Sequence, residues 1–460
     1  MNKKIRQWFQ ENGTLAWDTA LDIWNHPEIA YEEIFACHKI AAFLETQGFT
    51  VSTFSVGSGR SEPNALRAVF GSGKPVIGIL GELDALPGLG QSVCAHEEKI
   101  PGPGHGCGHN LLGAGCAAAA AAAKAVMEAE HLTGTIVYFG CPAEEVIAGK
   151  VLMASMGCFD NLDLCMTWHP GGGPGCLVES VGTALTNITF TFEGTSAHAA
   201  DAPWKGRSAL DAAELMNVAS QYLREHITPD ARLHYCYRAA GEAPNVVPDY
   251  ASVNYFIRAK SRKTCDEIVE RVKNNARGAA LMTGTHMGIT EEIGCYEFLV
   301  NHTLNRYAYQ AMCRVPDIEY TPEERVFAKE LYKNVFGHIP ENGSNLLPVG
   351  VVPPSGVTEI EDGGSTDVAD VTQICPTVNT FGFGAVSKIP GHHWGITACS
   401  GSSIGCKGMI YSAMALAELC YDALTNKQLV QECQEEFHRA KVHMDPYYSH
   451  IAGKSGNSLS

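Results

Sequence analysis

The apolar run Val76-Ile77-Gly78-Ile79-Leu80-Gly81 leads directly into the polar segment Glu82-Leu83-Asp84-Ala85-Leu86-Pro87. A short apolar run bounded in this way is typical of a strand that is buried on both faces of a sheet. Two more runs of this kind follow, at residues 134–140 and 162–166, with a long alanine-rich segment before them. Because buried strands alternate with helical segments, the sequence predicts an α/β fold with a parallel sheet.

Residues that can do chemistry follow each of these strands. They are, in turn, Asp84, the pair Glu144-Glu145, and His169. In an open α/β sheet, functional residues lie beyond the carboxyl ends of the strands. We therefore expect these side chains to meet at one edge of the sheet.

The pattern changes after Val181. Apolar and polar residues now alternate, as they do in half-buried antiparallel strands, and helical segments follow the alternating ones. The predicted strands are residues 185–192 and 251–258, and the predicted helices are residues 208–225 and 265–282. This β-α-β-α order indicates a separate, small α+β domain of the ferredoxin-like kind.

A chain of 460 residues is too long for a single hydrophobic core, so more than one domain is expected. We predict that the small domain occupies residues 183–300. Residues 1–182 and 301–460 would then form one discontinuous catalytic domain around this insertion.

Composition argues against two classes of partner. The formal net charge is −17, and such an acidic chain is poorly suited to nucleic acid or to an anionic membrane surface. The most apolar stretch, residues 111–126, is shorter than the ~20 residues that a membrane span needs. Its many alanines predict a buried helix instead.

The cysteine content bears on location. The chain has 17 cysteines, and its first residues lack the apolar core of a secretory signal. Thiols of proteins that are not exported stay reduced, so we expect a cytoplasmic protein in which most cysteines are small buried apolar residues. Cys107 differs from the others because of its neighbours.

Cys107 and His109 lie in the glycine-rich loop Gly104-His105-Gly106-Cys107-Gly108-His109-Asn110. Zinc and similar ions bind thiolate, imidazole and carboxylate groups, and catalytic sites leave one position open for water. Taken singly, a cysteine is usually buried filler and a histidine is usually a hydrogen-bonded core residue. Together with Glu145 and His169 at the same predicted edge, they indicate a metallohydrolase.

Glu144 and Glu145 would point in different directions if the backbone there is extended. One could then bind metal while the other faces the attacking water as a general base. The alternative is that both are solvated acids at a helix N-terminus, where the helix dipole favours them. Beside Cys107 and His169, we favour the catalytic interpretation.

Several segments in combination resemble the M20 family of metallopeptidases and amidohydrolases: Glu82–Pro87, Gly106–Asn110, Pro142–Glu145 and Thr195–Ala199. The Cys-Gly-His form is that of the family's aminoacylase-like branch. Further segments, at residues 26–28, 363–371 and 390–394, are similar to the aminobenzoyl-glutamate hydrolase B-subunit group. The similarity covers nearly the whole chain.

The resemblance implies a site with two divalent metal ions, zinc or manganese, with cobalt as a further alternative. Cys107 would bridge the two ions. The remaining ligands would be His109, Glu145, His169 and His392, with His393 as the competitor for the last position.

The resemblance also implies roles for four further residues. Glu144 would deprotonate the attacking water and later protonate the leaving amine. His198, in the inserted domain, would reach the active site of a second subunit and stabilise the oxyanion. Asn245 and Arg258 would contact the terminal carboxylate of the substrate, a group that an arginine fork binds bidentately.

The chain departs from the family pattern at two places. Many relatives have a histidine ligand where this chain has Glu82, and the resemblance implies that His109 takes its place. Asp84 would then orient a ligand by a hydrogen bond. Relatives of the Cys-Gly-His branch often continue with aspartate, whereas this chain has Asn110.

We therefore expect a metal-dependent amidohydrolase that cleaves the amide bond between an aromatic or bulky acyl group and an amino acid with a free carboxylate. A dipeptidase or carboxypeptidase of the same family is the alternative. Two other interpretations are weaker. A cysteine nucleophile at Cys107 would need a histidine base, but residues two apart in a loop, such as Cys107 and His109, rarely face each other. This interpretation would also leave the acidic residues unexplained. An inactive partner subunit would have no need for a base such as Glu144.

The expected assembly is a homodimer, with a homologous partner subunit as the alternative. The small domain would carry the dimer contact through an exposed strand and helix, and would close over the substrate as a lid.

Overall fold

The structure is a computed structural model that describes residues 1–179, 182–341, 345–356 and 364–451. These residues form two compact units. The first comprises residues 1–179, 299–341, 345–356 and 371–447, and the second comprises residues 182–298, 364–370 and 448–451. The sequence prediction had assigned the last two segments of the second unit to the catalytic domain. Gly363, which belongs to one of the family-like segments, lies outside the described residues.

The secondary structure of the described residues alternates between strands and helices. The strands are β1 (Thr50–Phe54), β2 (Ala65–Ser72), β3 (Val76–Glu82), β4 (Gly134–Cys141), β5 (Leu164–Gly171), β6 (Cys176–Leu177), β7 (Ala184–Glu193), β8 (Arg232–Ala239), β9 (Tyr250–Ala259), β10 (His286–Cys295), β11 (Thr377–Gly384) and β12 (His450–Ile451). The helices are α1 (Lys3–Asn25), α2 (Ile34–Thr46), α3 (His109–Glu130), α4 (Gly149–Ser155), α5 (Ala209–Leu223), α6 (Arg262–Thr283), α7 (His302–Arg314), α8 (Pro322–Phe336), α9 (Val368–Thr372), α10 (Trp394–Ser400), α11 (Ser403–Thr425) and α12 (Lys427–Lys441).

The first unit is built on a sheet with the strand order β1-β2-β4-β3-β5-β11-β6. Its four central strands, β4, β3, β5 and β11, run parallel. Strand β3 is buried from Ile77 to Glu82, as its continuous apolar run predicts. The predicted α/β fold with a parallel sheet is confirmed. Strand β5 is longer than predicted, so that His169 lies within the strand and not in the loop after it.

Helix α3 packs the alanine-rich segment into the core of the first unit. Its residues Leu111–Ala123 are all buried, because methyl side chains let the helix approach the sheet and the neighbouring helices closely. By length and composition α3 could cross a membrane, but 89% of its apolar window is buried inside the protein. The predicted buried helix is confirmed, and it begins two residues earlier than predicted, at His109.

The second unit is an antiparallel sheet with the order β12-β10-β7-β9-β8. Strands and helices follow one another as β7-α5-β8-β9-α6-β10, which is the ferredoxin-like arrangement. Sequence analysis identified β7, α5, β9 and α6 but missed β8 and β10. Strand β8 has one buried residue in eight, so it lacks the alternation that marks a half-buried strand. Strand β10 contains the charged pair Glu291-Glu292, which interrupts its apolar pattern.

Candidate metal centre

The loop before α3 brings Cys107 and His109 to the carboxyl edge of the parallel sheet. Gly108 caps the helix in the left-handed conformation, with φ of 79°. A Cβ at this position would lie 2.8 Å from Cγ of Pro170. Only glycine allows both this turn and the close approach to β5, so the glycine of the Cys-Gly-His motif sets the position of its two neighbours.

Cys107 lies against His169. The Cys107 Sγ is 3.3 Å from Nε2 of His169, and Nδ1 of the same ring is 2.9 Å from the carbonyl oxygen of Pro170. When Nδ1 donates to that carbonyl, the lone pair of Nε2 faces the sulfur. Burial lowers the pKa of His169 to about 4, which keeps the ring neutral. Burial raises the pKa of the Cys107 thiol to about 12, so a cation would be needed to ionise it.

Asp84 orients His109. Its Oδ1 is 3.0 Å from Nδ1 of His109, and its Oδ2 accepts from the backbone N–H of Glu145 at 2.9 Å. Burial opposes a charge on His109, but Cys107 and Asp84 raise the pKa of its ring well above the ordinary value. The hydrogen bond expected of Asp84 is therefore present, and it leaves Nε2 of His109 as the atom that can bind a metal.

Glu144 and Glu145 lie in a turn, so the extended backbone on which their divergence depended is not present. Ala143 adopts a left-handed φ of 54°, and its N–H donates to Oε1 of the buried Glu33 at 2.7 Å. Both acids consequently face the cluster: Glu144 Oε2 is 3.9 Å from His109 Nε2, and Glu145 Oε2 is 3.3 Å from His392 Nε2. Burial raises the pKa of Glu145 to about 7.

His392 joins this group and His393 does not. The backbone N–H of His392 donates to the carbonyl of Gly106 at 3.1 Å, which fixes the late loop beside Cys107. His393 instead caps α10, with its Nδ1 accepting from the N–H of Gly395 at 3.1 Å. The two neighbouring histidines thus have different tasks.

The potential ligand atoms form groups that share residues. One group is Cys107, His109 and His169, a second is Cys107, Glu145 and His392, and a third is Glu82, His109 and Glu144, with all ligand atoms of a group within 4.8 Å of one another.

Three buried atoms in these groups make no well-aligned hydrogen bond: Glu82 Oε2 and His109 Nε2, which lie 3.2 Å apart, and Glu145 Oε1. Leaving a buried polar atom unsatisfied is costly. A cation that binds these atoms removes that cost, and sulfur, nitrogen and oxygen donors together suit divalent ions. The residues present therefore fit divalent metal ions.

Sequence analysis missed the role of Glu82 and Lys150. Glu82 is buried, its Oε2 lies 3.2 Å from His109 Nε2, and its Oε1 lies 2.8 Å from Nζ of the fully buried Lys150. Burial favours the neutral acid, but Lys150 and His109 lower the pKa of Glu82 below its ordinary value. The sequence could have indicated this ion pair, because Glu82 lies at the end of a buried strand, where an acid needs a compensating charge.

The other predicted site residues lie in the second unit. His198 and Asn245 occur on paired segments, since His198 forms a β-bridge with Val246 and the N–H of Ala199 donates to the carbonyl of Asn245 at 3.0 Å. His198 is exposed. Arg258 is on β9, where its Nη1 donates to Oγ of Ser365 at 2.7 Å.

A cluster of metal-binding side chains beside an acid, from the fully buried His109 to the exposed His392, on an α/β unit that is joined to a ferredoxin-like unit, defines a class of metal-dependent hydrolases. Comparison with known proteins agrees with this class. Residues 183–281 match the model of the M20 peptidase dimerisation domain. The p-aminobenzoyl-glutamate hydrolase B-subunit of Escherichia coli (strain K12) is 38% identical over 94% of this chain and 94% of its own length.

More distant relatives and solved structures match over most of this chain. The Xaa-Arg dipeptidase of Mus musculus is 28% identical over 90% of this chain and 87% of its own length. An aminobenzoyl-glutamate utilization protein from Klebsiella pneumoniae has a similar fold, with a TM-score of 0.63 and 16% identity over 92% of this chain and 98% of that one. A dinuclear metal binding peptidase of Bacillus subtilis from the M20 family has a TM-score of 0.56 and 18% identity over 90% and 99% of the two chains.

The chain therefore belongs to the M20 family of metallopeptidases and amidohydrolases. It is a hydrolase of amide bonds that depends on divalent metal.

Proposed function

We propose that this protein uses two metal ions to hydrolyse the amide bond of an N-acyl amino acid with an aromatic acyl group, aminobenzoyl-glutamate being the leading substrate. One observation carries the proposal: Cys107 belongs to two ligand groups at once, with His109 and His169 on one side and Glu145 and His392 on the other. A residue shared in this way suits a bridge between two ions.

The five residues named above would hold the ions. Zinc and manganese are the leading choices and cobalt is the alternative, because metal availability often decides between them. When bound, two divalent ions polarise a carbonyl group and lower the pKa of water to ~7.

Glu144 acts as the general acid and base. The residue is 8% exposed, so its side chain is largely shielded from bulk water yet not fully enclosed. It lies on the His109 side of the cluster. In this position it takes a proton from the attacking water and returns it to the nitrogen of the leaving amino acid.

His198 stabilises the oxyanion from a second subunit. Its Nδ1 accepts from the backbone N–H groups of Ala200 and Asp201, at 3.2 and 3.1 Å. An imidazole that accepts at Nδ1 carries its proton on Nε2. The exposed ring can therefore donate a hydrogen bond to the negative oxygen that develops during amide cleavage.

Arg258 and Asn245 bind the terminal carboxylate of the substrate. An arginine fork suits this group because it offers parallel N–H donors in a rigid plane. Burial lowers the pKa of Arg258, because a half-buried position disfavours the charged guanidinium. A dipeptidase, as in the Mus musculus relative, would need the same carboxylate contact, so the two activities differ mainly in the acyl side of the substrate.

The proposed assembly is a cytoplasmic homodimer formed through the unit that matches the peptidase dimerisation domain. None of the 17 cysteines, all of which lie among the described residues, forms a disulfide, as expected in a reducing compartment. The relatives that are named as subunits make a hetero-oligomer with a homologous chain the alternative.

A hydrolysis screen tests the substrate. Purified protein is supplied with Zn²⁺ or Mn²⁺ and given aminobenzoyl-glutamate, indole-acetyl-aspartate and simple dipeptides, and the released amino acid is quantified. We expect the highest kcat/KM for an aromatic acyl amino acid. Preference for dipeptides would favour the alternative, and no turnover of any amide would refute the proposal.

Two glutamate variants test the base. Glu144→Gln should bind the same amount of metal but lose about 10²–10⁴-fold in kcat, since it removes general acid–base catalysis. Glu128→Gln, at an exposed acid on α3, is the matched control and should retain activity. Full activity of Glu144→Gln would exclude it as the base.

A further inference from the structure

We propose that Cys94, His96 and Glu98 form a separate zinc site on the surface of the first unit. Each offers one ligand atom, and these atoms all lie within 4.8 Å of one another. The group contains a sulfur, a nitrogen and an oxygen donor, which is the mixed set that zinc binds. None of these residues belongs to the centre beside Cys107.

The ligand spacing fits tetrahedral zinc. With a Zn–S distance of ~2.3 Å and a Zn–O distance of ~2.0 Å, a tetrahedral angle places sulfur and oxygen about 3.5 Å apart. Sγ of Cys94 and Oε2 of Glu98 are 3.7 Å apart. The side chains therefore need to move little to bind an ion. Water or the Ser92 hydroxyl, which contacts both Cys94 and Glu98, would complete the shell.

Gln91 holds the loop in this shape. Its side chain is buried, and its Nε2 donates to the carbonyl of His96 at 2.9 Å and to Sγ of Cys94 at 3.4 Å. Its Oε1 accepts from the N–H of Glu98 at 2.8 Å, and its backbone forms a β-bridge with Lys99. One buried amide thus contacts all three ligand residues, so the loop loses less conformational entropy on binding than a mobile loop would.

The bound ion would stabilise the packing of this loop on the rest of the first unit. Ala95, between the first two ligands, packs on an apolar cluster that also contacts Trp394, and its carbonyl accepts from Nδ2 of Asn334 on α8 at 2.7 Å. Trp394 directly follows His392 and His393. Zinc at the surface site would therefore order a loop that packs on the same cluster as the segment that carries the late histidine.

Alkylation of Cys94 gives a test that does not depend on catalysis. The wild-type protein is treated with iodoacetamide with and without micromolar free Zn²⁺, and each cysteine is followed by peptide mass spectrometry. Zinc should slow alkylation of Cys94 at least ~10-fold, because a metal-bound thiolate is a poor nucleophile. Cys313, which is exposed, lies in the first unit and belongs to no ligand group, is the control and should react at the same rate in both samples.

Two variants and a metal count complete the test. His96→Gln and Glu98→Gln should abolish the protection of Cys94. Wild-type protein should also retain one more zinc ion per chain than Cys94→Ser, whatever number the centre at Cys107 holds, so failure here is distinguishable from failure of the proposed function. Equal zinc contents, unprotected Cys94, or protection that persists in both variants would overturn the proposal.

Discussion

Metal binding to the metal-free protein should release protons in a pH-dependent way that traces to one residue, Glu145. Burial raises the pKa of Glu145 to about 7, and the carboxyl group must be ionised to bind a cation. At a pKa of 7 the group is roughly 90% protonated at pH 6 and roughly 10% protonated at pH 8. Its contribution should therefore fall by about 0.8 proton per chain between these two pH values.

The pKa values of two other ligands place them outside this range. Cys107, with a pKa of about 12, is protonated throughout and loses one proton, whereas His169, with a pKa of about 4, is neutral and loses none. Glu145 therefore makes the release larger at pH 6 than at pH 8, so affinity should rise with pH more steeply at the acid end.

Isothermal titration calorimetry with Mn²⁺ measures this release. Titrations at pH 6, 7 and 8 in buffers of different ionisation enthalpy give the number of protons per ion. Glu145→Gln should abolish the pH-dependent part, whereas Glu144→Gln should keep it. A release that stays constant from pH 6 to pH 8, as expected if Glu145 ionised near its ordinary value, would refute the reasoning, and so would a step that survives in Glu145→Gln.

Three further predictions concern the bridge, the buried ion pair and the second subunit. Cys107→Ser should lower the number of tightly bound ions per chain, measured by plasma mass spectrometry, and unchanged content would exclude a bridging role. Lys150→Met should lower the free energy of unfolding by about 3–5 kcal/mol in denaturant titrations, because it removes one partner of a buried ion pair and leaves only His109 to offset the charge of Glu82. Lys74→Met, at a lysine that is 76% exposed in its ion pair, should cost at most about 1 kcal/mol, and equal losses would contradict this argument. Mixed dimers of His198→Ala and Glu144→Gln should regain part of the activity that each variant lacks, whereas inactive mixtures would argue against His198 acting across subunits.

Local patterns in the sequence were sufficient for the catalytic core. Strands β3 and β4 are continuous apolar runs, and α3 is rich in the residue with the highest helix propensity, so each could be recognised without knowledge of its neighbours. Strand β8 could not, because its exposed residues form no buried face. Two-residue strand β12 carries no periodicity at all, and only its pairing with β10 defines it.

The site residues could likewise be predicted only where they form a local pattern in the sequence. Cys107, His109 and the paired glutamates were found because they are close in sequence and of unusual type. Glu33 was not, since its contact with the N–H of Ala143 joins residues that are far apart in the chain and leaves no local pattern. The turn that this contact stabilises also replaces the extended backbone that the sequence analysis considered at Glu144.

Lys150 explains how this chain can have Glu82 at the position where the family resemblance implies a histidine. Cys107, Glu145, Glu82, Asp84 and Glu144 lie together and carry five negative charges when ionised. Lys150 offsets one of them. A single divalent ion would still leave two uncompensated negative charges in a buried site, which is costly, whereas two divalent ions bring the set to neutrality. Glu82 paired with the buried Lys150 is therefore compatible with two divalent ions. The number of ions that the site binds depends on the charge balance of the surrounding side chains as much as on the number of ligands.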